Sequence, residues 1–381
     1  MALDDCQELL ENAMQELQVS YSLVNGSDLS TINERSAQLQ SWLSSVLAYQ
    51  ETCVDNFEDH SIIKPLIRMG MIDASHRIDN ALAILSTSSM SPSPTTIIRP
   101  KALAGFFLLV MMDIPHDDSG QFVNISAALS AYPKHLKGRY VIYVKAGIYH
   151  EHVTVTRKHP NVFIYGDGPK KTIVIGKKSF ASGVNTWRTA TFGFANTAGL
   201  SGRHAVALRV DSDMSAFFNC RMDGYQNTLL YQAKRQFYRN CVISGTIDFI
   251  FGYGAAVIQN SLIIVRRPRT NQKNTVTADG RKEEHATTGL VIHNCRIVPE
   301  KKLVPHSQRD GWLGQDFYTL TLCTMLNANT GPGANTNRRV RWKNFHVIDR
   351  NEAHQFTAGE FLHGAEWIKR AGVPVLLGLR G

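Results

Sequence analysis

The sequence predicts a mainly β chain, a parallel β-helix preceded by a small α-helical bundle. Three observations carry that expectation. Apolar residues recur at three- and four-residue spacing up to about residue 85, whereas from about residue 120 they gather in short β-branched runs punctuated by Gly. A unit in which Asn precedes Cys or Ser between apolar residues returns at Asn219-Cys220, Asn240-Cys241, Asn260-Ser261 and Asn294-Cys295, at intervals of 21, 20 and 34 residues. A strand-built unit of about 20 residues buries its apolar face only by stacking on the next copy, which is a solenoid with Asn stacked on Asn inside it. Finally, the charge changes sign: residues 1–90 hold 13 Asp/Glu against 4 Lys/Arg, and the remainder 37 Lys/Arg against 19 Asp/Glu.

In chain order, Ala2, Cys6, Leu9, Leu10, Ala13, Met14 and Leu17 form one stripe of a first helix. Gly26-Ser27-Asp28 breaks and caps it, and Ile32, Leu39, Trp42, Leu43, Val46 and Leu47 line a second. A third runs over about 61–85, so residues 1–86 read as a helical bundle. Residues 87–118 read as a linker followed by an atypical apolar segment. The linker is rich in Ser, Thr and Pro, and the apolar run 102–112 is about half the roughly 20 residues a membrane helix needs. Residues 119–381 read as the stack of strands, beginning with runs such as Tyr140-Val-Ile-Tyr-Val.

A hydrophobic share of 43% excludes a disordered chain, and six cysteines in 381 residues exclude a disulfide scaffold. No cysteine or histidine spacing suits zinc, so no metal is expected. The basic segment calls for a polyanionic partner, but without a nucleic-acid motif beside the charge. The opening Met-Ala-Leu-Asp-Asp-Cys is no secretion signal as it stands. Cys220 and Cys241 fall on adjacent coils, as buried thiols or as a disulfide.

Chemistry concentrates in two stretches. Ile243-Ser-Gly-Thr-Ile-Asp248-Phe-Ile-Phe-Gly252 sets one carboxylate in an apolar strand, where burial is costly unless a partner or a reaction requires it. About one coil upstream, Gly224-Tyr225-Gln226-Asn227-Thr228-Leu229 places two amides side by side, as donors for a developing oxyanion. Tyr225, Phe249 and Trp312 are candidates to line a sugar site, with core packing the competing expectation for Phe249.

These motifs, with Arg235-Gln-Phe-Tyr-Arg, Lys145-Ala-Gly-Ile-Tyr, Asn274-Thr-Val-Thr-Ala and Asn329-Thr-Gly-Pro-Gly-Ala-Asn, resemble the plant pectin methylesterases, or pectinesterases, from about Ser119 onward. The acidic segment resembles the inhibitor domain that precedes many of them, in a truncated form. The resemblance implies a right-handed parallel β-helix that hydrolyses methyl esters of homogalacturonan in the extracellular cell wall, without metal or organic cofactor. It implies that Asp248 is the nucleophile, that Gln226 is an oxyanion donor, and that Cys6 and Cys53 form a disulfide. His204 stands at the position of the family's other oxyanion Gln. The inhibitor-like domain is expected to contact the enzyme domain.

Three departures stand out. Asn227 occupies the position of the family's general acid/base Asp, and an amide cannot shuttle that proton. The family's Leu-Gly-Arg-Pro-Trp segment has no counterpart around Arg309 and Trp312. The stretch 191–196 is short by about a strand, which predicts an incomplete coil. The alternative reading is therefore a catalytically impaired pectin-binding homologue.

Overall fold

The computed structural model describes residues 2–57, 61–88 and 112–114, most of 121–303, the strands at 319–320 and 323–326, and residues 347–379. Its N-terminal part is helical: α1 Ala2–Asn25, α2 Leu29–Glu34, α3 Ser36–Asp55 and α4 Ile63–Ser88. The second expected helix is thus two, broken at Arg35, whose φ of −108° and ψ of 15° leave the helical region. Asp28 caps α2 by accepting the Thr31 N–H at 2.8 Å. A disulfide joins Cys6 on α1 to Cys53 on α3.

Beyond the helices, three parallel sheets of nine, seven and seven strands wind as one solenoid. Each coil gives one strand to each sheet. One such coil runs through Arg235–Arg239, Val242–Gly245 and Ile250–Gly252, paired in register with Ala255–Gln259, Leu262–Val265 and Thr277–Asp279 in the next. Alternation sorts the side chains. Phe217 and Tyr238 face inward and stack at 4.9 Å, whereas Ala216 and Phe237 face outward, beneath Leu362, Trp367 and Ile368 of the C-terminal segment. The first strand, Met112–Ile114, already pairs with Tyr140–Val144, so the solenoid begins seven residues before the expected boundary at 119.

Two expectations need correction. The stretch 191–196 leaves no coil incomplete: Arg188–Ala190 and Gly193–Ala195 each pair with a strand on both sides. Nor do the repeating Asn residues lie inside the solenoid. Asn219, Asn240, Asn260 and Asn294 occupy a corner with φ of 51–54°, half-buried or exposed. Asn tolerates that left-handed conformation better than most residues because its short amide bonds locally. The stacking itself holds, with Asn294 Nδ2 donating to Asn260 Oδ1 at 2.9 Å. Cys220 and Cys241, the residues after the corner, point into the core as free thiols. Burial and the neighbouring Cys241 thiol push the Cys220 thiol well above its usual range.

The helical layer lies against the corner where one seven-stranded sheet turns into the nine-stranded sheet. Ala233 and Ala286 of the solenoid belong to the same apolar cluster as Leu9, Val46, Tyr49 and Leu82. Glu16 of α1 and Lys234 form an ion pair of 2.6 Å, with side chains only 3% and 2% exposed. Thr52 bonds Gln232 at 2.5 Å, Asp79 bonds His285 at 3.0 Å, and Tyr253 donates to Asp55. Burial, with the Asp55 carboxylate beside it, pushes the Tyr253 phenol far above its usual range.

Removing one member of a pair this deeply buried leaves an uncompensated charge. Glu16→Gln is therefore expected to cost about 3–5 kcal/mol in chemical denaturation, and Glu16→Leu with Lys234→Met about 1 kcal/mol or less. Equal losses in both variants would contradict the buried pair.

Candidate active site

The site is built at a corner of the solenoid. Asp248 was expected in a strand, but it lies in the bend between Val242–Gly245 and Ile250–Gly252, with φ of 45°. It is half-buried there, which lowers the desolvation cost expected of a strand interior. Asn227 occupies the equivalent bend of the preceding coil, with φ of 63° and 9% exposure. The register Leu229↔Ile250 puts the two residues side by side, and the Asn227 N–H donates to Ile247 O at 3.1 Å. Adjacent coils lie about 4.8 Å apart, so Asp248 and Asn227 occupy neighbouring positions of one corner.

Gln226 and Tyr225 precede Asn227 in the same bend, and both are half-buried. The Thr246 N–H donates to Tyr225 O at 2.8 Å, tying this bend to the coil of Asp248. Beneath it, Thr228 Oγ1 donates to Ser244 O at 2.9 Å and Ser244 Oγ donates to Asp223 Oδ1 at 2.6 Å. Gly245 is required at this point: a Cβ there would sit 2.2 Å from Phe249 Cβ and 2.7 Å from Tyr225 O.

Phe249 is a correction. Its side chain is fully buried in the solenoid core, because the residue after the left-handed bend turns inward, and it has no surface to offer a sugar. Tyr225 keeps surface, and a residue not anticipated from the sequence holds it. The Arg266 guanidinium lies 3.8 Å over the Tyr225 ring and donates to Tyr225 Oη at 2.9 Å and to Gly224 O at 2.7 Å. The signal was present in the repeat arithmetic, since Tyr225, Thr246 and Arg266 occupy one register position on three successive coils. Asn274 bridges the same region, its Nδ2 donating to Thr246 O and Arg266 O at 3.0 Å each.

His204, Arg309 and Trp312 lie outside the described residues. Among the described residues no group of three or more His, Cys, Asp or Glu could hold a metal ion. Two cavities, of about 210 and 400 Å³, lie along the helical layer; neither is lined by Asp248. The arrangement sets one half-buried carboxylate, Asp248, on the coil beside two amides, the half-buried Gln226 and the buried Asn227; a carboxylate beside amide donors is a set suited to acyl transfer.

The fold is that of the right-handed parallel β-helix proteins. The pectinesterase profile matches residues 112–319 and 306–365, and the plant invertase/pectin methylesterase inhibitor profile matches residues 1–84. Two Arabidopsis thaliana proteins, designated pectinesterase/pectinesterase inhibitor 45 and 13, are 39% and 38% identical over 99% of this chain, covering 73% and 71% of their own lengths. Among solved structures, pectin methylesterase from carrot superposes with a TM-score of 0.62 at 35% identity, over 70% of this chain and 98% of its own. The enzyme from Aspergillus niger, at 20% identity and a TM-score of 0.51 over 67% of this chain and 95% of its own, shares the fold. The chain belongs to the pectinesterase family of carboxylic ester hydrolases, with an inhibitor-type helical domain in front.

Phe249→Ala is expected to cost about 3–5 kcal/mol of unfolding free energy, as truncation of a fully buried ring does. A thermal or denaturant melt indistinguishable from the natural chain would return Phe249 to the surface.

Proposed function

We propose that this chain hydrolyses methyl esters of homogalacturonan in the plant cell wall, with Asp248 as the nucleophile. The observation that carries the proposal is the placement of Asp248 on the coil next to Gln226 and Asn227 at one corner, where Asp248 and Gln226 are only half-buried. The Asp248 carboxylate attacks the ester carbonyl carbon, and the Gln226 amide donates to the oxygen that becomes negative. His204, by its place in the sequence, is the second donor. Collapse of the tetrahedral species expels methoxide, which takes a proton from water because Asn227 has none to give. A second water then cleaves the acyl–Asp248 anhydride, releasing the uronate and restoring the carboxylate.

The basic solenoid favours a polyuronate, whose carboxylates multiply as the reaction proceeds. Among the described residues no helix is long and apolar enough to cross a membrane. As units of function we propose the helical residues 1–86 and the solenoid 119–381, extended back to Met112–Ile114. The alternative, a pectin-binding homologue without turnover, is favoured by no feature of the fold and by none of the relatives; Asn227 slows the departure of methanol but leaves the nucleophile intact.

Methanol release from methyl-esterified pectin is expected to vanish in Asp248→Asn. Asn227→Asp, which fits the same left-handed bend, is expected to raise it about 10²–10⁴-fold. An Asp248→Asn enzyme with undiminished rate would end the assignment. On a pectate column, retention is expected to fall as salt rises from low ionic strength, since exposed charges lose range as the Debye length shrinks to about 8 Å at physiological salt. Retention that ignores salt would contradict charge-based binding of the polyuronate.

A further inference from the structure

Arg266 is the first residue after the strand Leu262–Val265, two coils along from the bend that carries Gln226 and Asn227. Between them runs the coil of Asp248, with Thr246 at the intervening register position, 2% exposed. The Arg266 side chain crosses that coil. One Nη donates to the Gly224 carbonyl, the other to the Tyr225 hydroxyl, and the guanidinium plane lies on the Tyr225 ring. Its Nε faces Glu300 Oε2 at 3.6 Å, and Glu300 Oε1 accepts the Arg267 N–H at 2.8 Å, so the base of the side chain is also braced. Asn274 holds the Arg266 carbonyl to that of Thr246.

We infer that Arg266 is a positioning residue, which clamps the Gly224–Tyr225–Gln226–Asn227 bend over the Asp248 coil and so sets the distance between the oxyanion donor and the nucleophile. The inference rests on the esterase proposal for its kinetic readout only. A half-exposed ion pair to Glu300 contributes little to stability, so the value of Arg266 lies in geometry. The planar fork engages a carbonyl, a hydroxyl and a ring face together, which an ammonium cannot do. A displacement of about 1 Å between donor and nucleophile costs up to about 100-fold in rate.

The test compares the full chain with Arg266→Ala and Arg266→Lys by methanol release, thermal melting and amide hydrogen exchange over residues 224–228. For Arg266→Ala, kcat is expected to fall about 10–100-fold while KM moves by less than about threefold. Arg266→Lys is expected to fall in between, and added guanidinium to restore part of the Arg266→Ala rate. The melting midpoint should move by only about 2–4 °C, against faster exchange confined to 224–228. Unchanged exchange at 224–228, or a loss carried wholly by KM, overturns the inference. If Arg266→Ala fails to fold, Arg266→Lys decides on the same two readouts. If the natural chain releases no methanol, the esterase proposal fails, and the exchange comparison alone decides the role of Arg266.

Discussion

The constraint on which the structure depends is that no coil of the solenoid can bury its own apolar face. Tyr238 is covered by Phe217 on one side and Ile258 on the other, and each of those by the coil beyond. Parallel in-register pairing then forces every corner to repeat. A sharp corner needs a backbone that most residues resist, and the chain supplies it with Asn219, Asn240, Asn260 and Asn294 after the nine-stranded sheet, and with Asn227 and Asp248 at another corner. The recurring Asn is the cost of turning, and the inward Cys or Ser that follows it is what the turn leaves room for.

The candidate site is a consequence of that repetition. Two residues 21 positions apart become neighbours because one coil is 21 residues long there, as Leu229↔Ile250 shows. A left-handed corner favours Asn and Asp for conformational reasons alone, so a carboxylate and an amide can occupy successive corners without strain peculiar to the site. Chemistry of this kind needs side chains held at fixed separation on rigid elements. The backbone ladder supplies the separation along the stack, continuing through the bend as Thr246 N–H to Tyr225 O and Asn227 N–H to Ile247 O, and two side chains add cross-links there, Asn274 between adjacent coils and Arg266 across two.

The architecture was largely legible in the sequence because stacking imposes a period, and the period survives in Asn-Cys pairs. The candidate site stands out in the sequence because Asp248 sits in a long distinctive motif. What escaped were features that a linear reading does not carry. The apolar neighbourhood of Asp248 reads as a strand, although a corner is equally flanked by core residues such as Phe249 and Ile250. Phe249 reads as a sugar contact beside a nucleophile, yet the left-handed residue before it reverses the alternation and sends it inward. Arg266 was missed because its partners lie 41 and 42 positions away, two coils back, and only register arithmetic joins them.

The helical layer shows the same limit from another side. Periodicity gave each helix one buried stripe, but in α3 every residue from Ser41 to Gln50 is buried, around the whole circumference. The surplus is polar: Ser44 bonds Thr287, and Ser41 bonds Asp213 at 3.4 Å. Such residues look like an exposed face until the solenoid is placed against them. The two parts carry opposite net charge, but charge does not hold the interface. Desolvating Glu16 and Lys234 consumes most of what their attraction returns, so the net cohesion comes from apolar burial around Ala233 and Ala286. The ion pair instead fixes which face of α1 meets the solenoid, since any other alignment would bury one of those charges without its partner.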